Sequence, residues 1–125
     1  VLDLEKGIWP DELQNFQLSE HWGVVVDGER VLPLGGISGK HIVNCNEGGK
    51  YAVYESDEHG FNNPRGIWTR DTIDVALLGD SFTQAACVGP DEDTAHWIRQ
   101  KYPATVNLGM AGNGPLIELA SHFSR

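Results

Sequence analysis

Basic residues are scarce in this sequence. Its 125 residues include 9 Lys and Arg against 18 Asp and Glu, which gives a formal net charge of −9. Proteins that bind nucleic acid neutralise phosphates with clustered Lys and Arg. The composition therefore disfavours a nucleic-acid partner.

Long apolar runs are also missing. No stretch approaches the roughly 18 to 20 apolar residues that cross a bilayer, and residues 1–20 lack the basic start and apolar centre of a signal peptide. The sequence thus predicts no membrane segment in this chain and leaves its compartment unknown.

Cysteine is nearly absent, since only Cys45 and Cys87 occur. Neither belongs to a CxxC or Cys/His pattern with metal-ligand spacing, so no metal or cofactor is predicted. We expect two free, buried thiols, whereas a disulfide between them would indicate an oxidising compartment. The acidic residues 91–93 are interpreted as the solvated start of a helix rather than as metal ligands.

Short β-like runs separated by turns fill residues 1–71, the β-rich N-terminal region. Val24–Val26 and a second run at about 30–34 flank Asp27-Gly28, a strong hairpin signal. "KHIVNCN" and "KYAVYES" flank Glu47-Gly48-Gly49 in the same manner. This pattern predicts two β-hairpins.

Residues 72–125 follow a βαβα pattern instead. "TIDVALLGD" is a continuous apolar strand of the kind buried on both faces of a parallel sheet. "PDEDTAHWIRQKY" is acidic at its start and basic at its end, which suits a helix macrodipole. "ATVNLGM" predicts a second strand, and a second helix begins at Pro115. Together they predict a right-handed parallel α/β unit within what we interpret as one domain.

This pattern places Ser81 just past the carboxyl end of a buried parallel strand, where open α/β sheets build active sites. Gly112 and Asn113 follow the next strand, so the two loops should face one crevice. A hydroxyl beside main-chain N–H groups suits acyl transfer. The competing interpretation is a helix cap, because Asp80 and Ser81 are both good N-caps. Thr83 also stands where the lipase-type elbow needs glycine.

"ALLGDSFTQ", followed about thirty residues later by "VNLGMAGNGP", resembles the first two sequence blocks of the SGNH/GDSL hydrolase family. The resemblance implies an incomplete SGNH-like, flavodoxin-like parallel sheet. It makes Ser81 the nucleophile and one oxyanion donor, and Gly112 the other donor in preference to Gly109. Gly79, Asp80 and Asn113 are possible supporting residues. Upstream, "YESDEHGFNNPRGIW" is similar to a segment of some bacterial members linked to surface carbohydrate.

Two family features have no counterpart in the sequence: a third-block asparagine and a late Asp-x-x-His that supplies acid and base. Asn113 comes too early for the third-block role, and the last predicted helix reaches Arg125 without a capping residue. These observations lead us to expect the front part of a longer hydrolase, with little turnover by itself. His59, beside Asp57 and Glu58, is the alternative base, although its ordinary interpretation is a turn residue.

The resemblance implies an esterase, or a carbohydrate O-acyl esterase or acyltransferase, acting on an ester or acylated carbohydrate. The alternative is a non-catalytic module that binds glycan or protein, with GDS as a helix cap. Exposed rings of Trp9, Trp22 or Trp68 would favour that module. An open sheet edge is further expected to allow self-association.

Overall fold

A computed structural model describes residues 13–14, 24–31 and 34–123 of the chain. This part contains seven short strands, three helices and a 3-10 turn at Ile67–Thr69. The strands are β1 Leu13–Gln14, β2 Val24–Val26, β3 Glu29–Val31, β4 His41–Val43, β5 Val53–Glu55, β6 Val75–Leu77 and β7 Thr105–Asn107. The helices are α1 Ser81–Gln84, α2 Thr94–Arg99 and α3 Pro115–Phe123.

The first predicted hairpin is confirmed. Strands β2 and β3 pair antiparallel, with Val26 opposite Glu29 across a two-residue turn. Asp27 and Gly28 both have positive φ, 52° and 84°. A tight turn of type I′ requires this conformation at both central positions, which explains the Asp-Gly pair.

The second predicted hairpin is also confirmed. Strands β4 and β5 pair antiparallel with Ile42 opposite Tyr54, and β1 adds to the other side of β4 in parallel. Ile42 and Tyr54 are both buried, whereas His41 and Glu55 at the next position are exposed. Val43, which points to the opposite face of β4, is also buried and packs with Tyr51 and Val53, so both faces of β4 are covered at this end.

Strands β6 and β7 form the predicted parallel pair, with Val75 opposite Thr105 and Leu77 opposite Asn107. Helix α2 lies between them in the chain and contacts β7. Helix α2 begins at Thr94, after the acidic residues 91–93, because the Asp93 carboxylate accepts the His96 N–H at 2.8 Å and caps the helix.

The expectation that β6 is buried on both faces is wrong, because its three residues are only half-buried. The three residues of β7 are fully buried instead. The side-chain amide of Asn63 bonds to both the N–H and the C=O of Asn107, at 2.7 and 2.9 Å. Asn63 thus covers the edge of β7 that faces away from β6, while no strand among the described residues covers the outer edge of β6.

The main hydrophobic core joins residues from both sides of position 71. Phe61 and Ile67 pack with Val106, Leu108 and Met110, and all five are at most 7% exposed. Burial of such side chains contributes about 1.5 to 3 kcal/mol each. The core therefore holds the loop before β6 against the segment that follows β7.

The described architecture is mixed α/β, with a short parallel pair and short antiparallel pairing. Within the described residues, no helix has the length and apolar character needed to cross a membrane.

Candidate functional site

Asp80 caps the one-turn helix that begins at Ser81. The Asp80 carboxylate accepts the Phe82 N–H at 3.0 Å. Helix α1 ends at Gln84, and its C-cap Ala85 has a φ of 65° in the left-handed region. Ser81 is therefore the first residue of the helix and not its cap, which leaves its hydroxyl free of that role.

Ser81 is half-buried at the rim of a cavity. Within the described ranges, no group accepts its N–H and none hydrogen-bonds its hydroxyl. The first N–H groups of a helix have no intrahelical acceptor and are available to bind an anion. Both the hydroxyl and the N–H of Ser81 can therefore engage a ligand.

The parallel pairing of β6 and β7 continues past the formal strands. Leu108 N–H donates to Leu77 O at 2.8 Å, and Met110 N–H donates to Gly79 O at 3.2 Å. Ser81 and Gly112 each lie two residues beyond this last bonded pair. The two loops therefore run side by side at the carboxyl edge, as their sequence positions predict.

The two glycines of "NLGMAG" have different structural roles. Gly109 N–H donates to the Asn107 side chain at 2.9 Å, and a Cβ at Gly109 would overlap the main chain of α1. Gly112 is exposed, has φ of 83°, and its N–H meets no acceptor among the residues described. Of the two, only Gly112 has an N–H available to an oxyanion.

Two buried amide side chains fasten the loop after β7 to α1. Asn107 Nδ2 donates to Thr83 O at 2.6 Å, and Gln84 Oε1 accepts the Ala111 N–H at 2.8 Å. Asn107 and Gln84 are 0% and 2% exposed. Sequence reasoning missed both residues. The sequence does carry a signal for them. Gln84 ends "ALLGDSFTQ" and Asn107 lies within "ATVNLGM", and a polar side chain beside an apolar run indicates a buried hydrogen-bond partner.

Gly79 and Asn113, the other supporting candidates, have steric and polar roles respectively. A side chain at Gly79 would overlap the side chain of Thr83, so the residue that breaks the lipase pattern packs on this glycine. Asn113 donates its main-chain N–H to Met110 O at 3.1 Å, which closes the turn around Gly112. Its side-chain nitrogen is buried and finds no partner within the described part of the chain.

His59 lies against Trp68, with ring centroids 4.7 Å apart and the rings edge to face. Its main-chain N–H donates to Asp57 at 2.8 Å, and the residue is exposed. No contact between His59 and Ser81 occurs in the described structure, and no described histidine hydrogen-bonds the Ser81 hydroxyl. The geometry thus favours the turn interpretation of His59.

Asp57 organises the segment before β6. Its buried carboxylate accepts four hydrogen bonds of 2.8 to 2.9 Å, from the main chains of His59 and Phe61 and the side chains of Asn63 and Trp68. Because the Trp68 ring is half-buried and its Nε1 is bonded here, it offers little support for a glycan platform. Trp9 and Trp22 lie outside the described residues.

Cys45 and Cys87 form a disulfide, so the expectation of free thiols is wrong. Their Cα atoms are 5.1 Å apart, within the usual range for a disulfide. The bond joins the β4–β5 hairpin to the segment after α1, where Cys45 N–H also donates to Ala86 O at 3.3 Å. Glu47 lies nearby, but the paired sulfurs are not thiolates able to bind a metal.

Burial changes two pKa values near the site. It raises the pKa of Tyr54, and the neighbouring Asp57 charge acts in the same direction, while the hydrogen bond from Gln84 opposes them. Burial also lowers the pKa of Arg99, against the attraction of Asp93 and Asp57. Arg99 still donates to Thr105 O at 3.0 Å and to Asn63 Oδ1 at 2.6 Å.

No protein-family model, curated protein or solved structure matches this chain.

Proposed function

We propose that this chain carries the nucleophile and part of the oxyanion hole of an SGNH/GDSL-type serine hydrolase that acts on esters, including acylated carbohydrates. The observation that carries the proposal is the free state of three groups at one sheet edge. Ser81 contributes a hydroxyl and an N–H, and Gly112 contributes a second N–H, none with a partner among the described residues.

The role of Asp80 strengthens this reading of Ser81. Because Asp80 supplies the helix cap, the capping requirement of α1 does not explain the serine. The parallel pair β6–β7 would then be the first two strands of a larger flavodoxin-like sheet. Gln84 and Asn107 would hold the two N–H groups in fixed positions, as electrostatic stabilisation of an oxyanion requires.

The proposed reaction has two steps. A general base takes the Ser81 proton while Oγ bonds to the ester carbonyl carbon. The oxyanion that forms accepts hydrogen bonds from the N–H groups of Ser81 and Gly112. The carbonyl–alkoxide bond then breaks, and the alcohol leaves with the proton from the base. The base next takes a proton from water or a sugar hydroxyl as its oxygen bonds to the acyl carbon. The bond between that carbon and Ser81 Oγ then breaks, Oγ regains a proton from the base, and the acid or the acylated sugar leaves.

The base is not among the described contacts of Ser81. The family resemblance would supply it from an Asp-x-x-His motif outside this sequence, and His59 is the candidate within it. Removing one oxyanion donor costs on the order of 100- to 1,000-fold in rate, so a chain that lacks the base, its orienting acid and the third donor should turn over very slowly.

The test is covalent labelling by a fluorophosphonate, with the labelled peptide identified by mass spectrometry. Both the 125-residue chain and the complete reading frame that contains it should be used. We expect labelling at Ser81 in the complete reading frame, its loss in Ser81→Ala, and normal labelling in Ser38→Ala, which changes an exposed serine outside the site.

Absence of label from Ser81 in the complete reading frame would refute the proposal. Hydrolysis of p-nitrophenyl acetate by the 125-residue chain, lost in both Ser81→Ala and His59→Ala, would instead place the base within this sequence.

A further inference from the structure

A cavity of about 270 Å³ opens beside Ser81, on the side of α1 that faces the disulfide. Phe82, Ala85, Ala86 and Val88 line it with apolar side chains, and the disulfide-bonded Cys87 also belongs to the lining. Among the described lining residues, Ser81 alone carries a hydroxyl, so the cavity places one nucleophile beside a mainly apolar surface.

Two of the apolar residues that line the cavity are exposed to solvent. The Phe82 ring is 89% exposed and Val88 is 42% exposed, although both lie within seven residues of Ser81. Ala85, by contrast, is buried at 7%. Apolar surface concentrated around one polar group is typical of small-molecule sites.

The size of the cavity limits what it can accept. Sites for drug-sized ligands have volumes of about 300 to 1,000 Å³, and this cavity lies below that range. Cys87 in the lining is covalently bonded to Cys45. Enlarging the cavity on that side would therefore require movement of the β4–β5 hairpin. The cavity is therefore large enough for an acyl chain of several carbons but too small for a drug-sized ligand.

Charge adds a second restriction. Glu47 is exposed and is the only charged residue among the described residues that line the cavity. A second carboxylate bound there would meet like-charge repulsion with no basic lining residue to offset it. The cavity should therefore discriminate against acyl groups that end in a carboxylate.

We propose that this cavity is the acyl-binding site of Ser81 and that it selects neutral acyl chains over chains that end in a carboxylate. Val88 contributes apolar lining to the cavity, and Glu47 disfavours anionic chains such as succinyl. This inference rests on the proposed function, because it needs Ser81 to be acylated.

The test compares rates of p-nitrophenolate release from acetate, butanoate, octanoate and monosuccinate esters by the complete reading frame. The first acylation is followed as a burst, so that slow deacylation does not obscure it. We expect Val88→Phe to lower the butanoate rate relative to acetate by about tenfold, and Val88→Ala to raise the octanoate rate several-fold. Ile37→Ala removes an exposed apolar side chain outside the cavity and should leave the ratios unchanged.

Glu47→Gln provides a second arm that does not alter packing, because Glu47 is exposed. It should raise the monosuccinate rate about tenfold relative to butanoate. If Ser81 is labelled by fluorophosphonate but the substitutions at Val88 and Glu47 leave all ester ratios unchanged, the cavity is not the acyl site and only the further inference fails. If Ser81 is not labelled at all, the proposed function fails as well.

Discussion

Gln84 accepts the Ala111 main-chain N–H through Oε1 at 2.8 Å, a hydrogen bond between residues 27 positions apart. The other end of the same amide donates to the Tyr54 hydroxyl at 3.0 Å. Ser81 lies three residues before Gln84 on α1, and Gly112 directly follows Ala111. Gln84 therefore fixes the loop that carries one candidate oxyanion donor relative to the helix that carries the other.

Replacing this glutamine with Met keeps a similar volume but removes both hydrogen bonds. We expect Gln84→Met to lower the free energy of unfolding by about 1 to 3 kcal/mol, because a half-buried N–H and a buried hydroxyl lose their partner. Urea unfolding followed by tryptophan fluorescence measures the change. Gln100→Met is the matched control, since Gln100 is exposed, and equal effects of the two substitutions would contradict the assigned role.

The pKa of Tyr54 gives a pH-dependent test of the same contact. Burial raises this pKa above the ordinary value of 10.0, which means that the fold favours the neutral phenol. The resulting contribution to stability is complete below about pH 10 and is lost as the pH rises through the folded-state pKa. Because the Gln84 hydrogen bond lowers this pKa, Gln84→Met should raise it further.

Absorbance titration of the tyrosinates measures the pKa, and unfolding between about pH 8 and 11.5 measures the stability. Tyr54→Phe should remove this part of the alkaline loss, whereas Tyr102→Phe, which changes a 43% exposed residue, should not. An alkaline stability profile unchanged in Tyr54→Phe would show that Tyr54 does not contribute.

Gly109 should tolerate no side chain. A Cβ there would lie 2.7 Å from the carbonyl carbon of Thr83 and closer still to the Gln84 nitrogen, both in the main chain of α1. Gly109→Ala is therefore expected to displace α1, with a loss of about 1 to 3 kcal/mol in stability and of fluorophosphonate labelling at Ser81.

Gly48→Ala supplies the comparison, because a Cβ at Gly48 meets no atom within 4 Å. Thermal unfolding measures the stability of both variants, and fluorophosphonate labelling measures the reactivity of Ser81 in each. Wild-type labelling in Gly109→Ala would mean that α1 can move without consequence for the serine.

The disulfide between Cys45 and Cys87 closes a long loop, since the two residues are 42 positions apart in the sequence. The chain-entropy model gives about 4 kcal/mol of stabilisation for a loop of this length, so Cys45→Ser/Cys87→Ser should lose a comparable amount. Urea unfolding of the protein with and without a thiol reductant measures this loss of stability. Peptide mapping without reduction must find the two cysteine peptides joined, and detection of two free thiols in the folded protein would refute the pairing.

The sequence predicts the local features of this fold well. Asp27-Gly28 specifies its hairpin because few other residue pairs adopt positive φ at both positions. The apolar run before Ser81 and the second run before Gly112 suffice to predict the parallel pair and hence the shared edge. These signals depend on neighbours in the chain and on strand order, so they can be read without coordinates.

The hydrogen bonds that position the site are not predictable in this way. Asn63 and Asn107 are 44 residues apart, and Gln84 and Ala111 are 27 apart. An amide side chain can satisfy almost any polar group, so the residue type does not specify its partner. The pairing of Cys45 with Cys87 depends in the same way on how the hairpin meets α1. Similarly, the half-burial of β6 and the full burial of β7 depend on where Asn63 docks.

The docking of Asn63 on β7 also sets an order of events during synthesis. Asn63 leaves the ribosome 44 residues before Asn107, whose main chain supplies two of its hydrogen-bond partners. Arg99, which also bonds to Asn63, is 36 residues later. The Asn63 side chain must therefore wait for the second half of the chain before all of its hydrogen bonds can form, whereas the donors to Asp57 are all local. A nascent chain stalled shortly after residue 81 would contain the serine but not yet the structure that holds it in place.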